Sequence, residues 1–285
     1  FETYQAGCFL VDDERMNRPG SGTDSHIRKY GLLNIVREYL ENLPKSDLAF
    51  TGEHEIVVLF RREGGESPAC FFPDTLDLLN HALKTHLNLT LSMGMGQECL
   101  SRMDIPAGFA LARRMAALRF FDGPAAFHCG REAAAGRPFI AKRSVQRNMQ
   151  EAIFRQDAGE AFRLIDSWFE EMAGLRSYDE IQAIRRGVVE TWVFISGYSI
   201  PEGADMPEYD EIYSTGDFWG AETLADLKGC FKAAVQSVVD YLMANKNANP
   251  EITRFLQYLE DHVDENISLE EAAGWCALGK SQFCI

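Results

Sequence analysis

Long apolar runs are missing from this chain. No stretch of the 285 residues approaches the roughly 20 consecutive apolar positions that cross a bilayer. That excludes a spanning helix of the usual kind, and no membrane partner is expected. A basic surplus is missing as well. Lys and Arg number 28 against 43 Asp and Glu, a formal net charge of −15. Neutralising nucleic-acid phosphates takes clustered Lys and Arg, so DNA contact has to come from a local patch or from further sequence. Paired cysteines are missing. Cys8, Cys70, Cys99, Cys129, Cys230, Cys276 and Cys284 are odd in number and form no C-x-x-C. Neither a disulfide framework nor a zinc knuckle is indicated. Reduced thiols and a cytoplasmic location are expected, with no metal site and no cofactor.

Catalytic signatures are also absent. His26, His54, His81, His86, His128 and His262 make no H-E-x-x-H or H-x-x-x-H pattern. His81 and His86 are five apart and do not share a helix face. There is no G-x-S-x-G and no P-loop, and no repeat of solenoid length. No enzyme activity is expected, and no catalytic residue is assigned. Residues 1–11 lack the basic start of a signal peptide and are interrupted by Glu2 and Gln5. The first residue is Phe, not Met, so an upstream segment is expected.

What is present begins with alternating strand and helix patterns. Residues 4–11 (YQAGCFLV) read as a strand, 15–25 as a polar loop, and 26–42 as a helix followed by Pro44. Residues 48–50 and 55–60 read as two strands joined by a tight turn at Gly52, Glu53 and His54. A helix over 73–87, a strand over 89–95, a helix over 106–120 and a strand over 125–129 complete the series. The order β-α-β-β-α-β-α-β predicts helices packed on a mostly antiparallel sheet. Gly94-Met95-Gly96 has the look of a phosphate-binding turn. No helix with a further glycine follows promptly, so an ordinary turn is expected. Asp12 and Asp13 end the first strand and are candidate oxygen ligands for Mg²⁺ or a nucleotide.

Residues 130–137 read as a linker, and 139–245 is almost wholly helical in pattern. Val145, Met149, Ile153 and Phe154 make one apolar stripe. Ala161, Leu164, Ile165, Trp168 and Phe169 make a second, and Ile181, Ile184, Val188, Val189, Trp192 and Ile195 a third. Leu224, Leu227, Phe231, Val235, Val238, Val239 and Leu242 make a fourth. The rings of Trp168, Trp192, Phe194, Tyr198, Phe218 and Trp219 either line a ligand pocket or fill a helical core. The core is the simpler expectation. Residues 201–210 form an acidic, proline-bearing loop, and 245–249 (NKNAN) a hinge.

The last stretch reads as a helix, a break at Asn266 and Ile267, and a second helix N-capped by Ser268 with Glu270 and Glu271 in its first turn. Small residues Ala272, Ala273 and Cys276 invite close helix packing. A tight turn and the start of a third helix follow. This is the outline of a helix-turn-helix unit.

The segments YLEDHVDENISLEEAA and ALGKSQF resemble the first half of an AraC-type DNA-binding domain. The segments YGLLNIVREYL, FTGEHEIVVLF, LTLSMGMG and FFDGPAAF resemble the degenerate GGDEF-like module of YesN-type response regulators. In that module the hairpin has lost its paired glycines, and His54 stands where an acidic residue is wanted, so no cyclase activity is expected. The resemblance implies an α+β chain. Residues 1–130 would be a degenerate GGDEF-like α/β sandwich, 131–249 a helical connector and dimerisation domain, and 250–285 a truncated helix-turn-helix. It implies a response regulator acting in transcription, with a homodimer, an upstream receiver domain and a sensor kinase as partners. Promoter DNA would be bound in the intact protein by Lys280, Ser281 and Gln282. The rival reading is a nucleotide- or cyclic-dinucleotide-binding sensor using Asp12, Asp13 and Gly52. A dimerisation scaffold is the third.

Overall fold

The computed structural model describes residues 2–12, 22–40, 46–50, 55–62, 68–130, 139–199, 215–244 and 267–275. The chain is α+β. One sheet carries strands in the order β2-β3-β1-β4-β5. These are β1 (Thr3–Asp12), β2 (Ser46–Phe50), β3 (Glu55–Arg62), β4 (Thr90–Cys99) and β5 (Phe127–Cys129). Every ladder is antiparallel except the last, β4 with β5. The mostly antiparallel sheet expected from the sequence is therefore present.

β1 is the central strand, and its residues 4–9 are all buried. A strand buried on both faces needs cover on both. Phe9 and Val11 face a core shared with Leu32, Val36 and Leu40 of α1 (Gly22–Leu40) and with Phe72, Leu76, Leu79 and Leu83 of α2 (Pro68–Leu87). Cys8 faces the opposite side, against Ala112 and Ala116 of α3 (Ile105–Ala117). Burial, helped by the charge of Glu55, pushes the Cys8 thiol well above its ordinary pKa, so it is an inert packing group.

α3 lies unusually close to the sheet, and the glycines of β4 make this possible. A Cβ on Gly94 would stand 2.0 Å from the Ala116 nitrogen and 2.1 Å from the Ala112 oxygen. One on Gly96 would stand 2.0 Å from the Gly108 oxygen. The Gly94-Met95-Gly96 stretch is thus mid-strand and not the turn expected from composition. β4 also carries a bulge. Its register to β1 shifts between Gln5 and Gly7, and the Gly96 carbonyl accepts a hydrogen bond from the Gln5 amide at 2.9 Å. An extra residue of this kind leaves backbone groups unpaired, and the buried Gln5 side chain satisfies one of them.

Asn80 of α2 does similar work at the edge. The β4–β5 ladder starts only at Met93. Before it, the Asn80 amide donates to the Leu91 oxygen at 3.0 Å and accepts from the Leu91 nitrogen at 2.8 Å. Both Leu91 backbone groups are buried. Asn80→Ala leaves them orphaned and should cost about 2–3 kcal/mol in urea unfolding, since each unmet buried group carries roughly 1–3 kcal/mol. A change under about 0.5 kcal/mol would show that water replaces the amide.

Several boundaries differ from the sequence reading. α2 begins at Pro68, five residues before Pro73; proline suits a first helical position, and Pro73 is carried inside. The helix expected over 106–120 breaks at Leu118, and a separate turn, α4 (Arg119–Asp122), closes on Gly123 at φ 90°. That break turns Phe120 away from the sheet and into the second core.

The second core belongs to α5 (Arg143–Phe154), α6 (Ala158–Ala173), α7 (Tyr178–Ser199), α8 (Thr215–Gly220) and α9 (Leu224–Ala244). Its centre is aromatic: Trp168, Phe169, Trp192, Phe218 and Phe231 contact one another edge-on or tilted. These rings fill a core, while Trp219 is 41% exposed. Phe154, expected on the buried stripe, is exposed. The segment entering this module is pinned by a hydrogen bond from the Phe139 nitrogen to buried Glu180 at 2.8 Å and by packing of Phe139 over Gly187.

The last described element is α10 (Leu269–Trp275). Its entry is a reciprocal cap. The Glu271 nitrogen donates to Ser268 Oγ at 3.2 Å, and Glu271 Oε2 accepts from the Ser268 nitrogen at 3.0 Å. Ala272 and Ala273 are buried. Among the described residues no helix is long and apolar enough to cross a membrane.

Candidate functional site

The sheet module and the helical module meet at the C-terminal end of β1. Asp12 stands there, with its side chain 5% exposed. Its carboxylate accepts from Thr90 Oγ1 at 3.1 Å, from Ser92 Oγ at 2.9 Å and from the Ala125 nitrogen at 2.8 Å. Arg119 Nη1 also donates to it, and to the Val11 carbonyl at 3.1 Å. The other end of the same guanidinium reaches Glu222 Oε2 at 3.1 Å. Glu222 lies between α8 and α9, so a chain Asp12–Arg119–Glu222 ties the sheet to the helices.

Other ties surround it. Arg114 pairs with Asp179 at 2.9 Å and lies over the Tyr178 ring. Arg176 pairs with Asp122 at 2.7 Å. These partners are exposed, and pairs of that kind contribute about 0–1 kcal/mol. The buried Asp12–Arg119 pair therefore dominates the charged part of the junction. Phe120 supplies the apolar part, fully inserted in the helical core.

Beside this chain opens a cleft of about 290 Å³, bounded by β1, β3 and α3–α4 on one side and α7–α8 on the other. Arg113 in it pairs with Glu55 at 2.9 Å. Arg185 differs. It donates to the Trp219 carbonyl at 2.8 Å and the Ala221 carbonyl at 2.6 Å, and lies over the Phe120 ring. It pairs with no carboxylate among the described residues, and its buried Nε has no hydrogen-bond partner there. Burial, with the Arg119 charge nearby, lowers its pKa from the ordinary arginine value and outweighs the opposing charge of Glu222.

His128 on β5 is half-buried, with Nε2 3.5 Å from Asp122. Burial lowers its pKa below 6.5, outweighing the opposing pull of Asp122. The folded state therefore binds fewer protons than the unfolded state just below pH 6.5, and stability should fall as pH drops through that range. His128→Gln should lessen the loss between pH 7.5 and 5.5, read by urea unfolding. An unchanged loss would place it elsewhere.

Of the candidate DNA- and nucleotide-binding residues Asp12, Asp13, Gly52, Lys280, Ser281 and Gln282, only Asp12 is described, and its oxygens are occupied by protein donors. Asp13, Gly52, Lys280, Ser281 and Gln282 lie outside the described residues. Among the described residues no group of three or more His, Cys, Asp or Glu is placed to hold a metal ion. Arg119, Arg185 and Glu222 were not foreseen. Arg119 left one trace, a charge set directly before the apolar pair Phe120-Phe121. No protein-family model, no curated protein and no solved structure matches this chain.

Proposed function

We propose that this chain is the regulatory part of an AraC-type, YesN-like response regulator, and that its junction relays a signal to a helix-turn-helix output. The observation that carries the reading is the reciprocal Ser268–Glu271 cap opening α10, with Ala272 and Ala273 buried behind it. The expected recognition unit begins with such a helix. Two further features support it. The β1-α-β-β-α-β order with strands 2-3-1-4 agrees with a degenerate GGDEF-like module. The junction to the helical connector joins one inserted ring, Phe120, to a network of ion pairs, a discrete set of contacts through which the packing of the two modules can be biased.

In this reading the signal enters through a receiver domain addressed by a sensor kinase. It changes the packing of the two modules within a homodimer and so sets the spacing of two DNA-binding units on promoter half-sites. The module is regulatory and not an enzyme. The rival, a nucleotide site at Asp12, Asp13 and Gly52, draws less support, because Asp12 already accepts from Thr90, Ser92, Arg119 and the Ala125 nitrogen.

The test is selection of sheared genomic DNA from the source by the full-length gene product, with sequencing of what is retained. Enrichment of discrete sites is expected. Joint replacement of Lys280, Ser281 and Gln282 by Ala should weaken binding to those sites at least about 30-fold, since each base-directed contact is worth roughly 1–3 kcal/mol. Recovery of bulk DNA only, or a triple variant that binds as the parent does, overturns the reading.

A further inference from the structure

Arg185 is the cleft arginine without an ion pair among the described residues. Arg113 has Glu55, and Arg119 has both Asp12 and Glu222. Arg185 has two carbonyl oxygens and an aromatic face; Glu222 acts on it through its charge but forms no ion pair with it. A half-buried guanidinium with a buried, unsatisfied Nε normally finds an anion, because its charge is costly to desolvate unpaired. Here the missing partner would sit in open space, since Arg185 lines the cleft. The chain as a whole repels anions with a net charge of −15, whereas this cleft sets Arg113, Arg119 and Arg185 against Glu55 and Glu222 and so keeps a local surplus of one positive charge.

The rest of the lining suits a small organic molecule. Trp219 is 41% exposed at the cleft, and an indole left there offers a flat apolar surface for a ring. Gln182 adds an exposed amide. The volume of about 290 Å³ sits at the small end of ligand clefts, which run from roughly 300 to 1,000 Å³. A single-ring compound fits, and a dinucleotide does not.

We propose that this cleft binds a small organic anion, with its carboxylate or phosphate on Arg185 and its ring against Trp219. Occupancy would bridge β1 and α3–α4 to α7–α8, fixing the junction in one arrangement. The binding stands on the geometry alone. Its role as a second signal input rests on the relay proposed above.

The probes are phenyl phosphate, benzoate and inorganic phosphate, each against sodium chloride at equal ionic strength. The readouts are melting temperature and isothermal titration. A ligand bound only by the folded state raises the melting temperature. One of the two ring-bearing anions should do so, and which one identifies the headgroup; inorganic phosphate should act more weakly. Arg185→Gln should weaken binding at least about tenfold, the scale of one charge-assisted hydrogen bond. Arg147→Gln, on α5 away from the cleft, should leave it unchanged. Trp219→Ala is the second variant, should Arg185→Gln fail to fold, and it should weaken the ring-bearing anions more than inorganic phosphate. No shift with any probe overturns the site. So does binding that survives both Arg185→Gln and Trp219→Ala. A bound probe that leaves DNA affinity of the full-length gene product unchanged overturns the input role alone. Failure of that protein to select any DNA overturns the relay and not the site.

Discussion

Asp12→Ala should destabilise the protein by about 3–5 kcal/mol, the range seen when one partner of a buried ion pair is removed. The size follows from what is left behind. Arg119, 13% exposed, would retain Glu222 but lose its more deeply buried partner. Thr90, Ser92 and the Ala125 nitrogen would lose their shared acceptor. Asp12→Asn keeps an oxygen in place and should cost less. Combining Asp12→Ala with Arg119→Met should cost clearly less than the sum of the two single changes, because the second removes the stranded charge. Urea unfolding with tryptophan fluorescence reads all four proteins. The opposite pattern would favour a ligand role. There, Asp12→Ala leaves stability within about 0.5 kcal/mol of the parent and abolishes a nucleotide-dependent rise in melting temperature.

Gly94→Ala should be the most damaging single methyl group in the sheet module, with a loss of about 3 kcal/mol or more. Overpacked cores commonly lose 1–3 kcal/mol when side chains can move aside. At Gly94 the obstacles are the Ala116 nitrogen and the Ala112 oxygen, both backbone, at 2.0 and 2.1 Å. Relief would require α3 to lift from β4, and with it the turn that carries Arg119 and Phe120 to the junction. Gly31→Ala is the contrast. Its new Cβ would meet only Leu87 methyl groups at 3.5 and 3.8 Å, and alanine is the better helix former, so a gain of roughly 0.5–1 kcal/mol is expected. If Gly94→Ala and Gly31→Ala have equal effects on the urea midpoint, the close seating of α3 is wrong.

Much of the fold was legible because it rests on local periodicity. The α9 stripe through Phe231 and Val235 and the Ser268 cap declare themselves within one or two helical turns, whereas in α1 the apolar pattern also takes in Tyr30, which is exposed. Gly94 and Gly96 did not. A glycine that serves as a flat seat for a helix looks the same in sequence as one that serves a turn. Only the approach of Gly108, Ala112 and Ala116 from the next element separates the two. The break at Leu118 was hidden for a related reason: the apolar pattern runs on through Phe120, but its target changes from the sheet to the helical core. The junction was the least legible part. Asp12 and Arg119 are 107 residues apart, and Glu222 comes from another module. Asp12 was noticed for its charge and its place at a strand end. Nothing near it in sequence showed that its oxygens would be taken by Arg119, Thr90 and Ser92. Arg185 sits on the flank of an apolar stripe, where an arginine ordinarily signals a solvated face.

The proposed relay through the junction is tested most directly by DNA affinity. Once the full-length gene product has selected its sites, one site is titrated with the parent and with Arg119→Gln, after unfolding curves show that both are folded. A change in dissociation constant of at least about fivefold is expected, the lower end of couplings between distant sites. Equal affinity in the two folded proteins would contradict it, because the Asp12–Arg119–Glu222 tie would then hold the modules together without informing the output.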